Sequence, residues 1–189
     1  MKKLFISFLL LFTLTITAQT KDCEYSFVQN DSIQIRSTKE SLMFEKVFGG
    51  TSTFIFFYLT DNDGLPILNF QLLAKSNDFP KMYCLDKASK IYLQLTNGKI
   101  VTLISANSED CSKTIYESNE KKNISILTGS FLFTKGGMED LEKYPISLMR
   151  IKYVGEMVDY PVPYEINSET MKQKYSPESY FINNLKCIK

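Results

Sequence analysis

Apolar and polar residues alternate along most of this chain at the two-residue period of β-strands. Ile33-Gln34-Ile35-Arg36 alternates, and Leu42 to Phe48 reads as a second strand ended by Gly49-Gly50. Thr53 to Thr60 is aromatic and β-branched, the composition of a central strand apolar on both faces. Asp61-Asn62-Asp63-Gly64 turns the chain, and Leu65 to Ala74 returns as a hairpin partner with Pro66 at its edge. Met82 to Leu85 comes next, then Lys90 to Thr96 and Lys99 to Ser105 around Asn97-Gly98. That dipeptide predicts a two-residue turn with positive φ at both positions. Residues 106–122 are polar and predict a loop. Ile124 to Phe133 predicts a strand with Gly129 as a candidate bulge. Ile146 to Val154 and Met157 to Val162 predict two more, the second closed by Pro161 and Pro163.

Helical signals come late. Thr134 is a candidate cap for a short helix running to Tyr144 and ended by Pro145, with Gly136-Gly137 weakening its first turn. Ser168-Glu169 is a weak helix start and Ser176-Pro177-Glu178 a strong one. After it, Tyr180, Phe181, Asn184, Leu185 and Ile188 recur at helical spacing, with Cys187 on the side of Tyr180 and Asn184. The pattern predicts a mainly β fold, an antiparallel sandwich or open barrel, with a short helix near 135–144 and a C-terminal helix; α+β is the alternative. Trp is absent, but 14 Phe and 11 Tyr can fill such a core.

The N-terminus has a different pattern. Met1-Lys2-Lys3 is basic, Leu4 to Ile16 is apolar but for Ser7, Thr13 and Thr15, and small residues follow. This is the order of a secretory signal. The apolar run is shorter than the ~20 residues that span a bilayer. A buried helix or a retained anchor is the competing reading, disfavoured by the polar Lys21-Asp22 directly downstream. The expected division is a signal peptide over 1–18, cleaved between Ala18 and Gln19 with Ile16 and Ala18 read by the peptidase, and one strand-rich domain over 19–189. Lipid attachment at Cys23 is not expected, because Thr20-Lys21-Asp22 before it lacks the required run of small residues. No later segment is long and apolar enough to predict a membrane span.

Export changes the reading of the four cysteines, Cys23, Cys84, Cys111 and Cys187. An even count outside the cytoplasm points to disulfides rather than metal ligands, with four independent buried thiols as the alternative. Three pairings exist. A two-residue turn at Asn97-Gly98 would set Thr96 opposite Lys99 and Lys90 opposite Ser105, and the same register carried outward sets Cys84 opposite Cys111. Cys23 and Cys187 would then join the ends of the domain.

Charge is nearly balanced, with 22 basic and 21 acidic residues, and removal of Lys2 and Lys3 tips it slightly negative. That gives no electrostatic case for nucleic acid or an anionic membrane. Lys113, Lys121 and Lys122, interleaved with Glu117 and Glu120, read as a solvated loop. There is no histidine, which removes Ser-His-Asp, Cys-His and imidazole metal chemistry. No phosphate-binding or dinucleotide-binding glycine motif and no nucleophile elbow occurs. Asp61-Asn62-Asp63-Gly64 fails as a calcium loop, because Leu59 and Phe70 stand where carboxylates are required. Glu139, Asp140 and Glu142 read as an exposed helix face. The pairs Ser89-Lys90 and Ser112-Lys113 point apart if extended, so neither forms a dyad. Gly136-Gly137 reads as a loop of unusual φ rather than an anion site, and Arg150 as solvent-facing. No cofactor or metal is expected.

The hairpin KIYLQLTNGKIVTLIS, the segment SFLFTKGGMEDLEKYPISLMRIKYV and the ending ESYFINNLKC resemble, in style and order, a group of exported bacterial proteins without an assigned activity. The resemblance implies an exported strand-rich domain and transfers no functional residue. The sequence reading is therefore a non-catalytic binding or interaction module of the periplasm or cell exterior, its partner an unknown protein or small ligand. A structural component of an envelope assembly and a carboxylate-based hydrolase are the alternatives.

Overall fold

The computed structural model describes residues 23–189, so the expected signal and the Ala18/Gln19 junction lie outside the described residues. Among the described residues fifteen strands run in chain order: β1 Tyr25–Asn30, β2 Gln34–Thr38, β3 Ser41–Phe48, β4 Thr51–Asn62, β5 Leu65–Ser76, β6 Cys84–Asp86, β7 Lys90–Leu95, β8 Ile100–Ser105, β9 Glu109–Cys111, β10 Lys113–Glu117, β11 Lys122–Phe133, β12 Ile146–Lys152, β13 Met157–Pro161, β14 Ile166–Ser168 and β15 Gln173–Tyr175. Helix α1 is Gly137–Leu141 and α2 is Tyr180–Asn184, the latter between 3₁₀ turns at Pro177–Ser179 and Leu185–Ile188.

The main sheet is antiparallel in every pairing, in the order β1-β2-β4-β5-β11-β8-β7-β12-β13, with β3 beside the first part of β4 and β10 beside the first part of β11. The three long strands β4, β5 and β11 form its spine. At their C-terminal, N-terminal and C-terminal ends respectively they continue into β2 on one side and β8 on the other. Past β8 the sheet folds back, bringing β13 over β3, where the Phe44 and Tyr160 rings meet edge-on at 5.1 Å. β3 and β13 do not hydrogen-bond, so the result is sandwich-like and not a closed barrel.

Core packing follows strand chemistry. In β4, Ile55, Phe57 and Leu59 enter the main core while Phe54 and Phe56 join Leu42 in a second cluster on the opposite face. Ile166 and Tyr175 of the small β14–β15 hairpin cover that cluster. This is why TFIFFYLT lacks alternation: both its faces are buried. Tyr180 and Phe181 of α2 close one end of the main core against Phe57, with Phe133 at 6.2 Å from Phe181.

Several elements depart from the sequence reading. The stretch 106–122 contains β9 and the edge strand β10. Ser168-Glu169 begins no helix: Ser168 ends β14, and its hydroxyl accepts from the Met171 N–H in the β14–β15 turn (3.0 Å). Thr134 does not cap α1. Its hydroxyl donates to the Thr102 carbonyl (2.8 Å), and Gly136 at φ 80° occupies the cap. Gly129 is no bulge, since Thr128, Gly129 and Ser130 face Gln71, Phe70 and Asn69 in unbroken register.

The Asn97-Gly98 turn is longer than expected. Gly98 has φ 84° but Asn97 does not take positive φ. The Leu95 N–H donates to the Lys99 carbonyl (2.8 Å) and the Gly98 N–H to the Leu95 carbonyl (2.9 Å), a three-residue loop ending in a left-handed glycine. The hairpin therefore slides by one, with Gln94 facing Ile100 and Lys90 facing Ile104. Farther out the strands regain the lost residue, because 105–108 on one side span the same gap as 87–89 on the other. Cys84 thus faces Cys111 in the β6–β9 ribbon.

Candidate functional site

The inner face of the spine runs out of large residues before it runs out of strand. One inner row is Phe44, Ile55, Leu72 and Leu127, all part of the main core or packed against it. Two residues along, the same face presents Lys46, Thr53, Ala74 and Ser125. The small side chains of Thr53 and Ala74 leave a hollow that the opposite layer does not fill. The result is a cleft of about 330 Å³ between β3, β4 and β5 on one side and β13 on the other, with the segment 77–83 along its mouth.

Aromatic groups wall this cleft in a continuous series. Phe44 meets Tyr160; behind them the Tyr160 hydroxyl lies 3.1 Å from that of buried Tyr153; and the Tyr153 ring lies 4.3 Å from the Tyr83 ring, tilted by 31°. Lys81 sits over the Tyr83 ring at 5.1 Å and pairs with Glu156 at 2.5 Å, tying the segment 77–83 to the β12–β13 turn. Phe79, 85% exposed, stands at the mouth. Burial pushes the Tyr153 and Tyr160 hydroxyls far above the usual phenol range, so both stay neutral. Hydrogen bonding to Glu156 raises the Lys81 ammonium, which therefore stays charged.

The cations and carboxylates around the cleft differ in freedom. Lys75 pairs with Glu120 (3.2 Å). Asp159 is gripped by Arg150 at 2.5 and 2.7 Å, and that hydrogen bonding holds its carboxyl below the usual range. Exposed Lys46 makes no ion pair among the described residues. The mouth therefore offers positive charge and hydrogen-bond donors above a floor of small side chains. Among the described residues no cluster of three His, Cys, Asp or Glu is placed to hold a metal ion.

The four cysteines lie in two disulfides. Cys84–Cys111 joins β6 to β9, and Cys23–Cys187 ties the chain two residues before β1 to the last 3₁₀ turn, where the Tyr25 hydroxyl donates to the Cys187 carbonyl (3.0 Å). The first bond sits next to the cleft. Tyr83 precedes Cys84, and its backbone is fixed by Ser112: the Ser112 N–H donates to the Tyr83 carbonyl (2.8 Å) and the Tyr83 N–H to the Ser112 hydroxyl (3.1 Å). A cleft wall is thus anchored one residue from a covalent bridge.

Other residues singled out from the sequence are structural. Asp61 accepts from the Gly64 N–H (2.8 Å) and from Arg36 (2.7 Å), so its carboxylate shapes the Asp63-Gly64 turn. Asp140 pairs with Lys99 and Glu142 with Lys189. Arg150 lies on the outer face of β12, half exposed. Phe44, Tyr83, Tyr160, Lys46 and Lys81 carried no signal in the sequence, because only the register of three distant strands reveals the small row beneath them. No family model, curated protein or solved structure matches this chain.

Proposed function

We propose that this chain is an exported, non-catalytic binding module whose cleft captures an apolar or aromatic group of a small ligand or protein partner. An anionic group on the same partner would sit at Lys46 and Lys81. The observation that carries this reading is the hollow over Thr53 and Ala74, walled by Phe44, Tyr83 and Tyr160 and rimmed by lysine. Apolar clefts with a few convergent polar groups are the usual form of small-molecule sites. Export is supported by two disulfides, a bond type that persists in oxidising compartments. Among the described residues no helix is long and apolar enough to cross a membrane.

A two-dimensional NMR titration with 2-naphthoate, an aromatic carboxylate, tests the proposal. Shifts should concentrate at Lys46, Thr53, Ala74, Tyr83 and Val158. Ala74→Phe, which fills the hollow, should weaken binding roughly tenfold or more while leaving the fold intact, and Lys46→Glu should weaken it severalfold at low salt. Shifts scattered over the surface, or an Ala74→Phe variant that binds as well as the parent, would discard the cleft as the site.

A further inference from the structure

β10 is an edge strand with unusual exposure. Among the described residues it pairs only with β11, and Lys113, Thr114, Ile115 and Tyr116 are all exposed, Ile115 by 54% and Tyr116 by 62%. An edge of this kind presents free N–H and C=O groups to any strand that approaches. It is also rigid at both ends. Cys111, two residues before it, is disulfide-bonded, and a tight turn with Lys121 at φ 53° leads out of it into β11.

We infer that β10 is the contact by which two copies of this chain pair, antiparallel about a two-fold axis through Ile115. The sequence of the strand, Lys113-Thr114-Ile115-Tyr116-Glu117, is complementary to its own reverse. In that register Ile115 meets Ile115 of the second copy, and Lys113 meets its Glu117, twice by symmetry. Thr114 meets Tyr116 on the other face. Two-fold pairing of one patch with itself is the commonest arrangement of protein dimers. Opposite charges directly across an antiparallel pair stabilise it, and like charges oppose it. A lone lysine on an edge strand guards against pairing; Glu117 four residues on turns that guard into a match. Lys113 makes no ion pair among the described residues, and the Glu117 carboxylate accepts only from the Asn119 N–H (3.0 Å), which leaves it charge to share.

The other ends of the sheet fit this role less well. β1 carries no charged residue to fix a register. The free edge of β13 ends in Pro161, which lacks an N–H, and pairing about its centre would set Asp159 against Asp159. β3 is flanked by the β14–β15 hairpin and the 3₁₀ turn at Pro177–Ser179.

Sedimentation equilibrium at low salt, with the purified disulfide-bonded protein, tests the dimer. Lys113→Glu and Glu117→Lys alone should each weaken self-association roughly tenfold, and the two together should restore it to near the parent value. Register is tested by cysteine cross-linking under mild oxidation. Ile115→Cys places two cysteines directly opposite at roughly 4.5–5.5 Å between Cα atoms, within disulfide reach. Lys113→Cys leaves its copies about 13 Å apart along the strand. Rapid dimer formation by Ile115→Cys and not by Lys113→Cys is the expected result. A parent protein that stays monomeric near ~1 mM overturns the inference. So does a dimer indifferent to both single charge reversals, or equal cross-linking of the two cysteine variants. None of these outcomes depends on whether the cleft binds a ligand.

Discussion

Gly129→Ala should destabilise the protein, although glycine inside a strand is ordinarily a weak point that alanine improves. Gly129 sits opposite Phe70 in regular pairing, and a Cβ there would lie 2.4 Å from Leu85 Cδ1 and 3.3 Å from Phe131 Cε2. Leu85 is fully buried, and its neighbour Cys84 is held by a disulfide, so it has little room to turn away. Overpacking a filled core costs about 1–3 kcal/mol. Restricting the unfolded chain by Gly→Ala returns about 0.4–1 kcal/mol. The net expectation is a loss of about 1–2 kcal/mol, seen as a fall in Tm of roughly 2–8 °C for a domain of this size. Leu85→Ala alone should lose about 2–5 kcal/mol by leaving a cavity. In the double variant the new methyl enters the vacated space, so urea unfolding should show a favourable coupling of about 1–2 kcal/mol between the two sites. A Gly129→Ala protein as stable as the parent, or strictly additive losses, would refute the claim that glycine is there to admit Leu85.

Three further outcomes follow from the same reasoning. Tyr180→Phe should raise stability by about 1 kcal/mol, because among the described residues the buried Tyr180 hydroxyl, beside Thr38, makes no well-formed hydrogen bond; a lower urea midpoint would mean that it is paired with Thr38 after all. Gly98→Val should lose about 1–3 kcal/mol through the backbone alone, since φ is 84° and nothing lies within 4 Å of the added Cβ; an unchanged Tm would show that the turn relaxes freely. Burial raises the folded-state pKa of Tyr153, Tyr160 and Tyr180 above the ordinary value of 10.0, so their contribution to stability is fully present below pH 10 and is lost as pH climbs beyond it. Tyrosinate absorbance should then show these three groups titrating only with unfolding, and early titration of all tyrosines in folded protein would contradict their burial.

How much of this was legible depends on whether burial leaves a mark on composition. β4 was readable because a strand buried on both faces must be apolar throughout, as TFIFFYLT is. β10 was not, because a strand exposed on both faces has the composition of a loop. Ser168-Glu169 looked like a helix start because a hydroxyl that caps a helix and one that braces a turn make the same kind of bond, here to the Met171 N–H. The hairpin turn was placed correctly but one residue short, since Asn-Gly serves both a two-residue loop and a three-residue loop ending in glycine. Only the second allows Asn97 to keep negative φ. The cleft left no trace in any single segment. Thr53 and Ala74 are unremarkable in their own strands and form a hollow only when pairing aligns them.

The two disulfides divide their work differently, and loop length separates the parts. On the chain-entropy account, closing the 164-residue separation of Cys23–Cys187 contributes roughly 5 kcal/mol and closing the 27-residue separation of Cys84–Cys111 roughly 3.5 kcal/mol. By that measure the end-to-end bond matters more for stability, and its surroundings agree: it fastens β1 to the C-terminal helical segment that closes the core. The shorter bond contributes less to stability but lies where position counts. Tyr83 of the cleft wall precedes one of its cysteines, and Ser112, which holds the Tyr83 backbone, follows the other, with Lys113 opening β10 one residue later. Leu85, over Gly129, completes the same cluster. One short covalent ribbon therefore fixes both the aromatic wall proposed to bind and the edge inferred to pair, and its reduction would loosen both surfaces at once.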